Sequence, residues 1–396
     1  MANVSSSNGL EKYPKLRFKG FSEPWTQVLL SDFFKKSTKK NSDGSITNVI
    51  CNSAKNGLIP QREYFDKSIA NSDNTDGYYI IEQGDFVYNP RKSSDAPYGP
   101  VSIYKYPESG IVSPLYLCFR ALKPINSSFY DYFFKSPSWH RYIYLSGDSG
   151  ARHDRVSIKD DVFFSMPVCI PSEEEQLKIS SFLSLIEKRI ADQQQLVEHL
   201  KKYKRGLLKD ILNGKFSSCG LDVATWEYKS LGELFHISAG GDIDKDRFSP
   251  IQTETHLYPV YANAKTNEGL YGYASYYKSE GNTITVSGRG EVGYAVARRT
   301  KYVPIVRLLS LSPKTTLDID FYALIINSTK IYVESTGVPQ LTSPQLGKVI
   351  VPYTDIETQN KISQIFNGVD NRINKGEQEL QCLCLLKQAF LKNLFI

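Results

Sequence analysis

The chain has 396 residues, 41% of them hydrophobic and 12% aromatic, with 48 Lys and Arg against 42 Asp and Glu for a net charge of +6. That length supports two or three domains with a substantial core, the apolar and aromatic content argues for a folded chain, and the mild basic excess permits a polyanionic partner without demanding one. No apolar run approaches the roughly 18 residues of a membrane span, the start MANVSSSNGL lacks the regions of a signal peptide, and the six cysteines, four scattered and Cys382 and Cys384 two apart in a helical pattern, show no zinc spacing, which together point to a cytoplasmic protein without disulfides or a resident metal.

In chain order, residues 1–14 read as a flexible tail. Residues 15–165 form a first β-rich domain, with short runs such as Tyr78-Tyr79-Ile80-Ile81, Asp85-Phe86-Val87-Tyr88 and Val101-Ser102-Ile103-Tyr104 broken by Gly, Pro, Asn and Asp. One helix is expected there, over Phe129–Phe134. Residues 166–213 read as a short strand ending in Pro171 followed by a long helix, with Ser172 three residues before Glu175 at capping-box spacing. Asn213-Gly214 is a helix stop, and 214–224 is a linker. Residues 225–345 repeat the β-rich pattern, with Thr283-Ile284-Thr285-Val286, Tyr302-Val303-Pro304-Ile305-Val306 and a helix over Phe321–Ile326. Residues 346–396 supply a second strand ending in Pro352 and a second long helix.

The two halves resemble each other. Residues 176–213 and 359–396 align without a gap at a shift of 183, with eleven identities in 38 positions that include Gln176/Gln359, Ser180/Ser363, Arg189/Arg372 and Lys204/Lys387. Within the first copy Ile179, Phe182, Ile186, Leu196, Leu200, Tyr203 and Leu207 recur at alternating spacings of three and four, with Gln193 at a core position. Ile362, Phe366, Val369, Ile373, Leu380, Leu383 and Phe390 do so in the second, interrupted by Gly376. Sustained over about 40 residues, this is a coiled-coil period, for helices about 60 Å long. The expected fold class is α+β: two β-rich domains separated by two long antiparallel helices forming a coiled coil, a pseudo-two-fold internal repeat. The domains also share an order of parts, from a glycine turn (Gly84, Gly281) through a strand, a basic loop and a second strand to a helix.

Three stretches carry catalytic overtones. Gly288, Gly290 and Gly293 in SGRGEVGYAV spell G-x-G-x-x-G, but a strand and a charged turn follow instead of the helix N-terminus that a pyrophosphate needs, so a glycine-rich hairpin is expected. Gly147-Asp148-Ser149-Gly150 echoes a serine-protease loop, yet His140, the only histidine upstream, has no matching context, which favours a turn. Asn89-Pro90-Arg91-Lys92 lacks the second proline and aromatic ring of an adenine methyltransferase loop, and no G-x-x-x-x-G-K-[ST] phosphate loop occurs. A chain of this size without a surviving catalytic motif is most simply a binding protein. Its 26 tyrosines cluster beside basic residues, as with Tyr88 near Arg91 and Tyr294 and Tyr302 around Arg298, a pattern suited to phosphate and base contact.

The repeated block gives the resemblance its specificity. Val168-Cys169-Ile170-Pro171 with Glu175-Gln176-Leu177-Lys178-Ile179, and Val349-Ile350-Val351-Pro352 with Thr358-Gln359-Asn360-Lys361-Ile362, each leading into a long helix, resemble the specificity subunit of type I restriction-modification systems. The entries around Trp25 and Trp226 and the Gly84–Arg91 stretch look like that family too. The second copy departs from the first in two extra residues between Pro and Gln and in Thr358 where the first has Glu175.

The resemblance implies a non-catalytic DNA-binding subunit with two target-recognition domains, each reading half of a bipartite site, held apart by the helices. It also implies two methyltransferase subunits docked on the repeated helical regions, with a restriction subunit as a further partner. S-adenosylmethionine, ATP and Mg belong to those partners, and this chain has no cofactor of its own. The residues expected to face double-stranded DNA are Arg91, Lys92, Arg152 and Arg155 in the first domain, and Lys265, Arg289, Arg298, Arg299 and Lys301 in the second. The competing reading is a cytoplasmic coiled-coil adaptor that binds proteins and no DNA.

Overall fold

The computed structural model describes residues 2–3, 13–64, 75–147, 154–216, 223–331 and 340–396. The chain divides into two compact units, residues 1–195 with 377–396, and residues 196–376. The boundaries fall inside both long helices, Glu173–Leu212 and Ile356–Leu394. Each unit therefore contains one β-rich domain and a piece of each helix, whereas the linear reading sets the helices apart as segments of their own.

In the first unit, β1 (Thr26–Leu29) pairs antiparallel with β6 (Pro167–Ile170), Val28 opposite Val168. Between them lies a four-stranded antiparallel sheet of β2 (Phe34–Lys36), β3 (Phe86–Tyr88), β4 (Val101–Ile103) and β5 (Leu117–Ala121) in the order β2-β5-β3-β4. The helix Ser127–Lys135 buries Phe129, Tyr130, Phe133 and Phe134 in the core shared with Trp25, Phe34, Phe86 and Phe119.

The second unit is built the same way. β7 (Glu227–Ser230) pairs with β12 (Ile350–Tyr353). Its central sheet consists of β8 (Phe235–Ala239), β9 (Thr283–Val286), β10 (Ala295–Arg298) and β11 (Leu309–Pro313) in the order β8-β11-β9-β10. This is the strand order of the first unit, and the helix Ile319–Ser328 takes the place of Ser127–Lys135. The shared order of parts read from the sequence is thus a shared topology.

Identities between the repeated helices fasten each one to its domain. Gln176 Nε2 donates to Pro171 O at 3.1 Å, and Gln359 Nε2 donates to Thr354 O at 2.7 Å, in each case the carbonyl five residues back. Asn126 and Asp318 cap the N-termini of the two domain helices through their side-chain oxygens. Asn126 Nδ2 also donates to Ser180 Oγ, and Ser363 Oγ donates to Asp318 Oδ2 at 2.6 Å, so the same serine position grips the domain helix in both units. Lys204 Nζ meets both Asp370 oxygens at 2.6 and 2.7 Å, and its counterpart Lys387 meets Glu187 at 2.7 Å. Since 187 and 370 are also 183 apart, one ion pair is made twice.

The long helices run antiparallel within each unit. In the first, Phe182 packs edge-on against Phe390, Glu187 meets Lys387 and Arg189 meets Glu379. In the second, Leu208 and Ile211 share a core with Ile362 and Phe366. The second helix follows its sequence pattern. The first departs from it midway: Leu196 and Tyr203 are exposed, and Val197 and the half-buried Lys204 take the seam. Lys204 occupies an apolar-seam position because Asp370 neutralises it, so an apolar-only pattern reads one residue early there.

The capping box at Ser172 is half formed. Glu175 N donates to Ser172 Oγ at 3.4 Å, but the Glu175 carboxylate turns to Arg17, receiving Nε and Nη2 at 2.8 Å each in a buried ion pair. At the matching position Thr358 turns instead to Asp355, the N-terminal cap of the second helix. The exchange of Glu175 for Thr358 thus follows a different local partner in each copy. The first helix stops as expected: Gly214, at φ +76°, donates to Ile211 O, and Lys215 N donates to Asp210 O, the paired bonds of a Schellman motif.

Candidate functional site

In both central sheets a hairpin joins the inner strand to the edge strand, β3 to β4 and β9 to β10. The connections, residues 89–100 and 287–294, hold the same topological position and carry candidate basic residues.

In the first unit Asn52 anchors this connection. Its buried side chain donates to Val87 O at 2.7 Å and Pro100 O at 3.2 Å and accepts from Ser102 Oγ at 2.8 Å, fixing both ends of the loop. The loop then meets residues 154–156. Arg91 and Arg155 form a β-bridge, Lys92 N donates to Asp154 O and Val156 N to Pro90 O. Arg91, Lys92 and Arg155 therefore converge on an open cleft of about 740 Å³ that Asn89, Gln61, the Ser113–Tyr116 turn and the Lys55–Asp95 ion pair also line. Arg91 and Lys92 are exposed. Arg155 is half-buried beside Asp154 at 3.9 Å, and its Nε has no hydrogen-bond partner among the described residues. Arg152, and the Asp148–Gly150 part of the protease-like motif, lie outside the described residues.

In the second unit SGRGEVGYAV is the expected hairpin. Gly293 N and Ser287 O bond at 2.8 Å, Ser287 N donates to Tyr294 O at 2.9 Å, and β10 follows without a helix. Gly293 has φ +86°, a conformation that side chains resist, and an added Cβ would sit 3.2 Å from Ile331. With no helix N-terminus, these glycines offer no pyrophosphate cradle. Arg289 stands at the turn, half-buried, its Nε and Nη2 held by Gln340 Oε1 at 3.3 and 2.9 Å, a neutral partner that orients the guanidinium and leaves its charge intact.

The remaining second-unit candidates divide. Lys265 is exposed beside Glu291 at 3.6 Å. Arg299 is exposed and pairs with Asp320. Lys301 meets Glu280 at 3.0 Å and lies over the Tyr277 ring. Arg298 points inward at 6% exposure. Its Nε bonds Thr285 Oγ1 at 3.0 Å, Nη2 bonds Glu268 O, and the guanidinium lies 3.6 Å from the Tyr261 ring centroid, while burial lowers its pKa. A DNA-facing Arg298 is therefore corrected to an internal tie between β9, β10 and the Glu268 turn. The face of β10 opposite the Ala295 and Ala297 side is covered as well, because Tyr261 and the Glu268 turn lie over Arg298 there, so a residue that strand alternation places away from the core is still buried. The tyrosine pattern needs the same correction at two positions, for Tyr88 stacks on Phe163 in the core and the fully buried Tyr302 bonds Thr283 and Ser310.

Three neighbours carry no mark in the sequence: Asn52, Gln340 and Arg307. Asn52 and Gln340 act through buried or oriented amides, which no spacing reveals. Arg307 precedes β11 as the Ser113–Tyr116 turn precedes β5, and the alignment of parts between the units is the signal that finds it.

Residues 224–381 match a family model described as the type I restriction modification DNA specificity domain. Specificity-subunit likeness extends beyond that segment. Two Mycoplasma pneumoniae proteins named as type I specificity subunits are 25% and 28% identical, over 53% and 37% of this chain and 56% and 45% of their own lengths. The chain thus spans about half the length of the curated relatives it matches. The S subunit of a type I restriction-modification system from M. genitalium superposes with a TM-score of 0.59 at 16% identity, covering 97% of this chain and 99% of its own. A chain from a structure of type I R-M system assembly and conformational transition gives 0.59 at 16% identity, over 94% and 98%. At that identity the likeness is one of fold. No helix among the described residues is long and apolar enough to cross a membrane.

Proposed function

We propose that this chain is the non-catalytic, sequence-reading subunit of a type I restriction-modification complex, each unit engaging one half of a bipartite site in double-stranded DNA. The observation that carries the reading is the duplicated sheet, in which the same hairpin connection presents Arg91 and Lys92 in one unit and Arg289 in the other, the second within the matched specificity domain. Each bidentate base contact discriminates by only about 1–3 kcal/mol, so a single reader selects weakly. Two readers on one chain make the second engagement intramolecular.

Arg91, Lys92, Arg155, Lys265, Arg289, Arg299 and Lys301 are the described residues assigned to DNA, and Arg152 keeps its sequence-based assignment. Arg299, Lys301 and Lys265 must exchange a carboxylate for a phosphate to serve, whereas Arg91, Lys92 and Arg289 have no carboxylate at ion-pair distance among the described residues. Two methyltransferase subunits, and a restriction subunit where one is present, supply the chemistry with S-adenosylmethionine, ATP and Mg. This chain holds none of these and works in the cytoplasm. Methylation-aware sequencing of the host genome with and without the gene tests the reading. One bipartite, adenine-methylated motif should vanish with the gene, and an unchanged methylome refutes the assignment.

A further inference from the structure

The turn Ile305–Leu308, which leads into β11, is closed by Leu308 N donating to Ile305 O at 3.0 Å, and both central residues lie in the left-handed region, Val306 at φ +52° and Arg307 at φ +61°. This is a type I′ turn, whose central positions favour Gly, Asn or Asp. A β-branched residue at positive φ is a genuine outlier, and such strain persists where the surroundings impose it, often at ligand-contacting sites.

The surroundings here do impose it. Val306 N donates to Gly241 O and Arg307 N to Gly240 O, each at 3.0 Å, and Val306 O accepts from Asn263 Nδ2 at 2.5 Å. Asn263 Oδ1 in turn accepts from Gly288 N at 2.8 Å, and a Cβ at Gly288 would stand 3.1 Å from Arg307 O. One amide therefore locks the strained turn to the hairpin that carries Arg289. Both central side chains of the turn are exposed, and Arg307 has no carboxylate at ion-pair distance among the described residues, unlike Lys265, Arg299 and Lys301. The topologically equivalent turn of the first unit, closed by Tyr116 N to Ser113 O, lines the cleft of Arg91 and Lys92.

We propose that the Ile305–Leu308 turn is a DNA-backbone anchor of the second unit, with Arg307 contacting a phosphate beside Arg289. This rests on the DNA-binding reading above. A phosphate suits Arg307 because nothing orients its fork, whereas base reading needs the fixed guanidinium that Gln340 gives Arg289.

A phosphate contact needs no knowledge of the target sequence, so the test uses the full chain with a fluorescent random-sequence duplex of about 30 base pairs, titrated by anisotropy between roughly 50 and 200 mM salt. Wild-type affinity should fall linearly in log–log form. Arg307→Ala should weaken binding severalfold and reduce the slope by about 1, and Arg307→Lys should restore it. Lys361→Ala removes the same charge at a site already paired with Glu357 and should leave the slope unchanged. All variants should keep the wild-type thermal midpoint. If the wild type shows no salt-dependent duplex binding, the DNA reading itself falls. Should the wild type bind while Arg307→Ala matches it, or Lys361→Ala lose as much slope as Arg307→Ala, the anchor is overturned and the DNA reading stands.

Discussion

Truncating Arg298 would remove the donors to Thr285 Oγ1 and the Glu268 carbonyl and open a space over the Tyr261 ring, whereas truncating Arg299 releases one surface ion pair. Arg298→Ala should therefore cost about 2–4 kcal/mol of stability and Arg299→Ala less than about 1 kcal/mol, measured by urea unfolding, and equal costs would contradict the inward placement of Arg298. A second residue-scale effect is pH-dependent. Burial pushes the Glu187 carboxyl up, but the ammonium groups of Lys135 and Lys387 and the Tyr132 hydroxyl overcome it and hold the pKa at about 2. A depressed carboxylate contributes stability that is complete above its ordinary value of 4.5 and is lost as pH falls toward about 2. Thermal midpoints of Glu187→Gln should accordingly vary less with pH than wild type across that window. Parallel curves would show that the ion pair does not couple to folding.

At the scale of elements, the repeated Gln and Ser explain how a long polar helix is fixed to a β-rich domain in a single register. Gln359 serves two backbone groups, donating to Thr354 O and accepting from Asp318 N at 2.9 Å, while Gln176 donates to Pro171 O. Leaving a buried backbone group unsatisfied costs about 1–3 kcal/mol, so Gln359→Ala should destabilise more than Gln176→Ala. Differential scanning calorimetry on the two variants ranks them, and the reverse order would mean that the clasp is not what these residues contribute. The burial of both glutamines, at 1% and 8% exposure, also makes them internal fasteners and removes them as contacts for a docked subunit. Their identity between the copies is legible in sequence, but its cause is not, because the partners Pro171, Thr354 and Asp318 are recognised by position in space.

For the molecule as a whole, the duplication, the α+β class, the two domain helices and the glycine hairpin can all be read from residues, since they rest on periodicity, turn chemistry and self-similarity. What the sequence hides depends on contacts between distant segments. Arg298 looks like an exposed strand-end arginine until Tyr261 and the Glu268 turn are seen to cover it, and Arg307 looks ordinary until its backbone is seen at positive φ. The discontinuity of the first unit belongs to this hidden class and has a mechanical consequence. Leu391, Leu394 and Phe395 are buried in the core of the first β-rich domain, where the Phe395 ring lies 5.4 Å from Phe129 and 6.3 Å from Phe133. Each large side chain removed from a core costs about 2–5 kcal/mol, so deleting residues 377–396 takes away an amount comparable to the roughly 5–15 kcal/mol that stabilises a whole domain. Hydrogen exchange on such a truncated chain should show Ser127–Lys135 losing protection while Ile319–Ser328, in the unit formed by residues 196–376, keeps its own. If both helices stay protected, or both lose protection together, the first unit does not depend on the end of the second helix in the way its packing requires.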